Sequence, residues 1–311
     1  MATIGFVGLG VMGGNIAERL LDAGHAVQGY NRTTAKAESL VQLGLTLAAT
    51  PRAAATGAGV VFSMVSDGDA LAAVCAGPDG ILAGLGEGSI YIDLSTVGPV
   101  ASEATRIAAE EHGARFLAAP VSGSVSTIRE GRLSFMVGGS EEALAEVRPL
   151  LLDIGPEIRH VGSVQQAAAM KMAVNLSVAI QVIAFSEGVL LAERYGVDPG
   201  RAVDVLLHSV VASPMLAYRG RFLLDPPEVP WFTVALARKD VRIMQDMAER
   251  VDLPLWSAAT AAPILAAAQA LGYGQDELAS VGHALRDMSA HAAATSCEGN
   301  PMKTRARSAD E

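Results

Sequence analysis

The sequence predicts two parts: an α/β domain with a doubly wound, mostly parallel sheet, then an all-α domain entered through one long helix. Three observations predict it. Short β-like runs alternate with helical stretches of about 10–15 residues through the first half, as βαβ units require. The first such run ends in a glycine-rich turn that opens an amphipathic helix. From about Val164 onward strand signals vanish, and long Ala-, Leu- and Val-rich helical patterns take over.

In order, "TIGFVGLG" reads as a strand, "GGNIAERLLDAGH" as a helix ending at Gly24, and "AVQGYNR" as the second strand. Helix "TAKAESLVQLG", strand "LTLAA", short helix "PRAAATGA" and strand "VVFSMVS" follow. Then come helix "GDALAAVCAG", strand "SIYIDLST", helix "PVASEATRIAAEEHG" closed by Gly113, and strand "RFLAAPVSG". In the second half, 165–195, 199–209, 233–251, 257–272 and 275–290 read as helices, separated by turns such as "YGVDPG", "DPPEVP" and "LGYGQD". The expected domains are therefore 1–163 and 164–295, and the polar, aperiodic tail 296–311 is expected to be disordered.

Composition narrows the function. With 311 residues, half of them apolar, the chain can bury two cores. A net charge of −10 without a basic block outside the last ten residues argues against nucleic acid and anionic membrane as partners. Cys75 and Cys297 lie 222 positions apart, without metal-ligand spacing, which fits a reducing cytoplasm and no structural metal. The N-terminus runs directly into a strand pattern, with no basic segment or cleavage site. The apolar run from Met172 to Phe185 is interrupted by Asn175, Ser177 and Gln181, and reads as too short and too polar to span a bilayer.

The first βα turn, Gly8-Leu9-Gly10-Val11-Met12-Gly13, has G-x-G-x-x-G spacing between a strand and a helix, the context that a dinucleotide site requires. Gly8 permits the tight turn, Gly10 lets backbone approach a pyrophosphate, and Gly13 allows helix to pack on strand. Where an NAD site usually carries an acid after the second strand, this chain has Asn31, Arg32 and Thr33. A guanidinium can pair with a 2′-phosphate, so NADP(H) is expected rather than NAD(H); as a solvated loop residue, Arg32 would leave both open. Ligands in such sheets lie beyond the strand carboxyl ends. There the chain places Met64, Val65 and Ser66, then Ser95 and Thr96, then Ser122 and Gly123.

Lys171 and Asn175 are four residues apart on the long apolar helix and share a face with Val178 and Val182. Desolvation would lower the pKa of such an amine and suit it to move a proton at neutral pH. It would then protonate the alkoxide formed when hydride adds to a carbonyl, with Asn175 fixing the amine or a substrate hydroxyl. The alternative is a lysine in the first turns of a helix that snorkels to water.

"GFVGLGVMGGNIAERLLDAGH", "DLST", "APVSGS", "GRLSFMVGG" and "KMAVN" together resemble the β-hydroxyacid dehydrogenases, in order and over roughly residues 3–290. That family includes 3-hydroxyisobutyrate dehydrogenases, tartronate semialdehyde reductases and glyoxylate/succinic semialdehyde reductases. The resemblance implies a Rossmann domain and a helical substrate and dimerisation domain, with Lys171 as catalytic acid/base assisted by Asn175. It implies that Ser122 and Gly123 hold a substrate carboxylate and that Thr96 lies between cofactor and substrate. It further implies that Lys239, in "WFTVALARKD", reaches the cofactor, while Phe232 and Asp240 border the substrate pocket. Implied reactants are a small 2- or 3-hydroxy acid, or 4-hydroxybutyrate, and its aldehyde or keto acid; the implied assembly is a homodimer or homotetramer.

Departures from the commoner pattern fall at Ala118, Ser124, Thr127 and Ile128. "SGS", "NRT" and "SPMLAYRGRFLLDPP" look more like the glyoxylate/succinic semialdehyde reductase branch, which favours NADPH. Arg129, Arg219 and Arg221 are candidates for holding a second acidic group of the substrate, and the 124–130 loop bears on its identity. Other readings are imine reduction, which Lys171 argues against, a decarboxylating sugar-acid phosphate dehydrogenase, and a non-catalytic NADPH-binding protein.

Overall fold

The computed structural model describes the backbone of residues 3–298 and the side chains of residues 3–290. The chain begins β1 (Thr3–Val7), α1 (Val11–Asp22), β2 (Ala26–Tyr30), α2 (Glu38–Gln42) and β3 (Thr46–Leu47). Next are α3 (Pro51–Ala55), β4 (Val60–Ser63), α4 (Gly68–Cys75), β5 (Ile90–Asp93) and α5 (Pro99–Glu111). Then follow β6 (Arg115–Ala118), β7 (Val121–Ser122), α6 (Val125–Arg129), β8 (Ser134–Gly139), α7 (Glu141–Ile154) and β9 (Glu157–Gly162). The helices α8 (Val164–Arg194), α9 (Pro199–Leu207), α10 (Pro214–Arg219), α11 (Val234–Glu249), α12 (Trp256–Ala270) and α13 (Val281–Glu298) complete the described chain.

Strand order is β3-β2-β1-β4-β5-β6-β8-β7, with β9 beside β8. The strands β1 to β6 are parallel to their neighbours among themselves. β8 runs antiparallel to β6 and β7 and parallel to β9. The expected doubly wound α/β fold with a helical second half is thus observed. Its strand order reverses between β1 and β4, where such sheets bind ligands. Both faces are covered, so the central strands are near-continuous apolar runs. Phe6 and Phe62 stack at 5.7 Å on one face, and Tyr91 meets Phe116 edge-on at 5.2 Å on the other.

The structure adds β8, α7 and β9, which the sequence reading left without elements. β8 ends in two glycines, which weaken a strand signature. A Cβ on Gly138 would stand 2.1 Å from the Ser163 carbonyl oxygen, so glycine there marks a close backbone approach. It also adds α10, whose start carries both N-terminal signals: Ser213 Oγ accepts the Leu216 N–H at 3.2 Å, and Pro214 occupies the first turn.

Two expectations need correction. The helix expected over 275–290 starts only at Val281. Before it, two 3₁₀ turns carry Asp276 and Glu277 into contacts with the 231–234 segment, including a β-bridge between Thr233 and Glu277. Residues 296–298, expected in a disordered tail, close α13; residues 299–311 lie outside the described residues.

The described chain divides into two compact units. Among the described residues the first is 3–177 with 240–255, and the second is 178–239 with 256–298. Of its three cuts, 177/178 and 239/240 fall inside α8 and α11 and 255/256 just before α12, whereas the sequence reading put one boundary at 163/164. At 31 residues, α8 is long and apolar enough to cross a membrane by length and composition, which the interrupted run 172–185 alone does not convey. Central helices of soluble proteins pass the same test. Lys171 and Asn175 lie within it, joined by hydrogen bonds to a carboxylate of the first unit.

Candidate functional site

The first unit holds a cleft of about 520 Å³ at the carboxyl ends of β1, β2 and β4. Gly8, Gly10, Asn31, Arg32, Thr33, Lys36, Met64, Val65 and Ser66 line it, with Val74 and Ala76 at the end of α4. The glycines divide the work as their spacing predicts. Gly8 has φ +100° and would place a Cβ 2.2 Å from the Met64 carbonyl oxygen. A Cβ on Gly13 would stand 2.0 Å from the Gly8 carbonyl oxygen, so only glycine allows α1 to sit on β1. Around Gly10 nothing lies within 4 Å: a side chain there would fill the cleft rather than strike the protein.

α1 begins at this opening with no side-chain cap and no acid in its first turn. Its leading N–H groups and dipole are therefore directed at the space where a pyrophosphate would sit. Arg32 and Lys36 are exposed at the rim, and sequence reasoning missed Lys36. It lies on the short helical turn after β2, where its signal is a second cation four residues beyond Arg32. These features fit a dinucleotide.

Asn31 lines the cleft but commits its side chain to the turn. Its Oδ1 accepts the Leu9 N–H at 3.0 Å, and its Nδ2 donates to the Thr33 carbonyl at 2.8 Å. Leu9 is a core residue, 2% exposed, with its N–H used in that bond. Val11, Met12, Gly13 and Thr96 are not among the lining residues of the cleft.

Lys171 is the second centre. Its Nζ donates to Asn175 Oδ1 at 2.8 Å, and Asn175 Nδ2 donates to Asp240 Oδ2 at 2.6 Å. Asn175 and Asp240 are buried, at 7% and 1% exposure, and Lys171 is half-buried. A carboxylate can only accept from an amide, so Asp240 takes the NH₂ end and turns the carbonyl end of Asn175 toward the lysine. Asp240 acts here as the holder of Asn175, a role that the sequence, with 65 residues between them, could not reveal.

Ser122 closes β7, paired with Ser134, and is half-buried. Gly123 has φ +147°, and a Cβ there would stand 2.3 Å from Thr127 Oγ1. The 124–130 segment forms α6 rather than an open loop. Thr127 Oγ1 accepts the Ser124 N–H at 2.6 Å, and Ile128 is fully buried. These two departures from the family pattern thus have structural employment.

The three candidate arginines all have partners within the chain. Arg129 Nε donates to Asn15 Oδ1 at 3.1 Å, and Arg221 pairs with Asp204 at 2.7 Å. Arg219 is 4% exposed and ion-paired with the fully buried Glu277 of the second unit, so it is not an exposed cation open to a substrate acid. Glu277 Oε2 also accepts the N–H groups of Trp231 at 2.8 Å and Phe232 at 3.2 Å. Phe232 lies in this junction, its ring 5.8 Å from the Arg219 guanidinium; Lys239 lies on α11 within the same unit.

Sequence reasoning also passed over Asp93, the last residue of β5, which is 1% exposed. Burial raises its pKa above the usual 3.8, against hydrogen bonds from Ser63 and Ser95 that lower it. Nearby, burial pushes the Cys75 thiol up to about 12 and raises Tyr91 well above 10.0. The signal was an acid inside an apolar strand, "SIYIDLST".

Comparison with known proteins identifies the family of the chain. Residues 3–162 match the family described as the NAD binding domain of 6-phosphogluconate dehydrogenase. Residues 166–285 match the family described as NAD-binding of NADP-dependent 3-hydroxyisobutyrate dehydrogenase. The chain is 31% identical to glyoxylate/succinic semialdehyde reductase 2 of Arabidopsis thaliana, over 91% of this chain and 79% of that protein. It is 31% identical to 2-hydroxy-3-oxopropionate reductase of Escherichia coli, over 93% and 98%. The solved 3-hydroxyisobutyrate dehydrogenase of Mycobacterium tuberculosis with L-serine superposes with a TM-score of 0.79 at 29% identity, over 92% of this chain and 99% of that one. Matched along both halves by families and by relatives of its own length, the chain belongs to the β-hydroxyacid dehydrogenases of the 3-hydroxyisobutyrate dehydrogenase type, NAD(P)-dependent hydroxyacid oxidoreductases.

Proposed function

We propose that this protein is an NADPH-dependent reductase of a small carboxylate-bearing aldehyde or keto acid, with Lys171 as the proton donor. The observation that carries the reading is the Lys171–Asn175–Asp240 chain, with links of 2.8 and 2.6 Å. The bound dinucleotide would supply hydride to the carbonyl carbon. Lys171 then gives a proton from Nζ to the carbonyl oxygen as negative charge develops there, and takes it back in the oxidation direction. Asn175 Oδ1 holds one ammonium hydrogen and so fixes the direction of Nζ. Asp240 stops the amide from flipping its NH₂ toward the lysine.

NADPH is preferred in this reading because Arg32 and Lys36 stand at the rim where an NAD site carries an acid. The name of the matched second-half family and the reductases among the relatives support the same cofactor and reaction class. For the substrate carboxylate, the residues of this reading are Ser122 and Gly123, with Thr96 beside the cofactor.

The test is NADPH oxidation over a panel of semialdehydes, glyoxylate, 2-hydroxy-3-oxopropionate and cyclic imines. One of the acids should turn over and the imines should not. Lys171→Ala should lower kcat about a hundred- to ten-thousand-fold, the usual worth of general acid catalysis, with the cofactor Kd within about twofold of wild type. Near-normal turnover would reject Lys171 as the acid. In the same assay Arg32→Asp should shift the NADPH:NADH ratio of kcat/KM toward NADH about ten- to a hundredfold, the worth of a charged hydrogen bond. An unmoved ratio would remove Arg32 from the cofactor reading.

A further inference from the structure

A buried chain of polar groups runs beneath the cofactor cleft and touches both of its walls. Three donors converge on a single oxygen, Asp93 Oδ1: Ser63 Oγ at 2.6 Å, Ser95 Oγ at 2.6 Å and the Ser95 N–H at 3.3 Å. The Ser95 hydroxyl donates to Asp93, so its lone pairs face outward, where its Oγ accepts the Val65 N–H at 2.9 Å. Ser63 has likewise spent its proton, so at the 2.8 Å contact the Tyr91 hydroxyl is the donor. That leaves the Cys75 thiol as donor to the Tyr91 oxygen, 3.2 Å away. Every proton in the chain therefore points toward Asp93, from Val65 at one end and Cys75 at the other.

Val65, with Met64 and Ser66, lines one side of the cleft, and Val74 and Ala76, the neighbours of Cys75 at the end of α4, line another. The geometry points to Asp93 as a positioning residue for the cofactor: through Ser95 and through Ser63–Tyr91 it braces the β4 exit and the end of α4, and so sets the cleft between them. It touches no cofactor atom and acts through the two walls. Because all three donors meet one oxygen, the second oxygen can carry a proton without breaking a bond of the brace. What the brace requires is an acceptor at Oδ1, not a charge. The inference rests on the cleft being the dinucleotide site, and it adds what holds that site in shape.

Asn and Ala at position 93 separate these requirements, because Asn keeps a carbonyl oxygen and Ala keeps none. Two measurements read them: hydrogen exchange of the 64–66 amides in the protein alone, and NADPH titration followed by nucleotide fluorescence. Asp93→Ala should speed exchange at Val65 and raise the NADPH Kd about three- to tenfold, the range for one lost hydrogen bond. Asp93→Asn should keep both near wild type. With saturating NADPH, kcat of Asp93→Ala should return toward wild type while the cofactor KM stays high, a split that general destabilisation does not produce. If Asp93→Ala fails to fold, Ser95→Ala removes a single oxygen and should give the same exchange and Kd changes. Unchanged Val65 exchange in Asp93→Ala or Ser95→Ala would overturn the brace, as would an Asn variant as impaired as Ala. A wild-type protein that bound no dinucleotide would sink the reading of the cleft instead, and the exchange measurement would still decide the brace.

Discussion

Asp93 of the first unit and Glu277 of the second are each buried to about 1% exposure, and they are held by opposite means. In the first unit Asp93 meets two serine hydroxyls and a backbone N–H, all uncharged. In the second, Glu277 meets the Arg219 guanidinium and the N–H groups of Trp231 and Phe232. Neutral donors leave the cost of burying charge largely in place, and the Asp93 pKa rises accordingly. An arginine partner offsets that cost by Coulomb attraction but binds the two residues into one unit, so that loss of either strands the other. The difference suits their surroundings. Asp93 ends a central strand of the sheet, whereas Glu277 lies in a turn between helices that meets the 231–234 segment through one β-bridge and the backbone bonds beside it.

The largest expected effect tests the ionic half of this comparison. Glu277→Gln keeps the shape and an acceptor but leaves Arg219 buried without a counter-charge, which should cost about 3–5 kcal/mol in urea unfolding. Replacing both, with Arg219→Met and Glu277→Leu, removes the stranded charge but orphans the Trp231 and Phe232 N–H groups. The double variant should therefore recover part of the loss and remain about 1–3 kcal/mol below wild type. Trp231 reports on the turn directly, since its ring packs edge-on against Phe222 at 4.9 Å. Its fluorescence, read in a Trp256→Phe background, should shift in both variants. A Glu277→Gln protein as stable as wild type would mean that the pair is not what holds this turn.

How much of this could be read beforehand depends on how far apart the partners lie. The parallel sheet was legible because alternation of strand and helix is a local pattern, and the glycine turn because its spacing is local too. Lys171 and Asn175 were legible as a pair since a helix brings i and i+4 together whatever else the chain does. Asp240 was placed near the site only by family resemblance. Its bond to Asn175 joins residues 65 apart, and no local pattern encodes it. Arg219 misled for the same reason. An arginine in a stretch between helices reads as solvated until Glu277, 58 residues on, is known to meet it. Asp93 could have been suspected, because an acid in an apolar strand has to find donors, but which donors was beyond local reasoning. The loop departures at Thr127 and Ile128 read as clues to substrate, yet their side chains serve the packing and capping of α6.

The smallest expected effect tests the neutral half of the comparison, and its sign follows from the direction of one pKa. Asp93 is raised in the folded protein above its usual 3.8, with burial as the largest cause. A raised folded pKa means that the folded state holds the proton more tightly than the unfolded state. The stabilisation it contributes is complete below the unfolded value and is lost as pH climbs through the folded one. Between the two values wild type should lose up to about 1.4 kcal/mol per pH unit relative to a variant that cannot ionise there. Asp93→Asn is that variant. Urea midpoints of the two proteins, measured in parallel from acid to mildly alkaline pH, should diverge upward from the carboxylate range, with Asn gaining on wild type. The other titratable groups beside Asp93, Cys75 at about 12 and Tyr91 above 10.0, keep their protons across that window and are common to both proteins. The difference curve therefore belongs to one carboxyl group. A flat difference would mean that neutral donors hold the Asp93 charge as well as an arginine could, and the contrast between the two carboxylates would go with it.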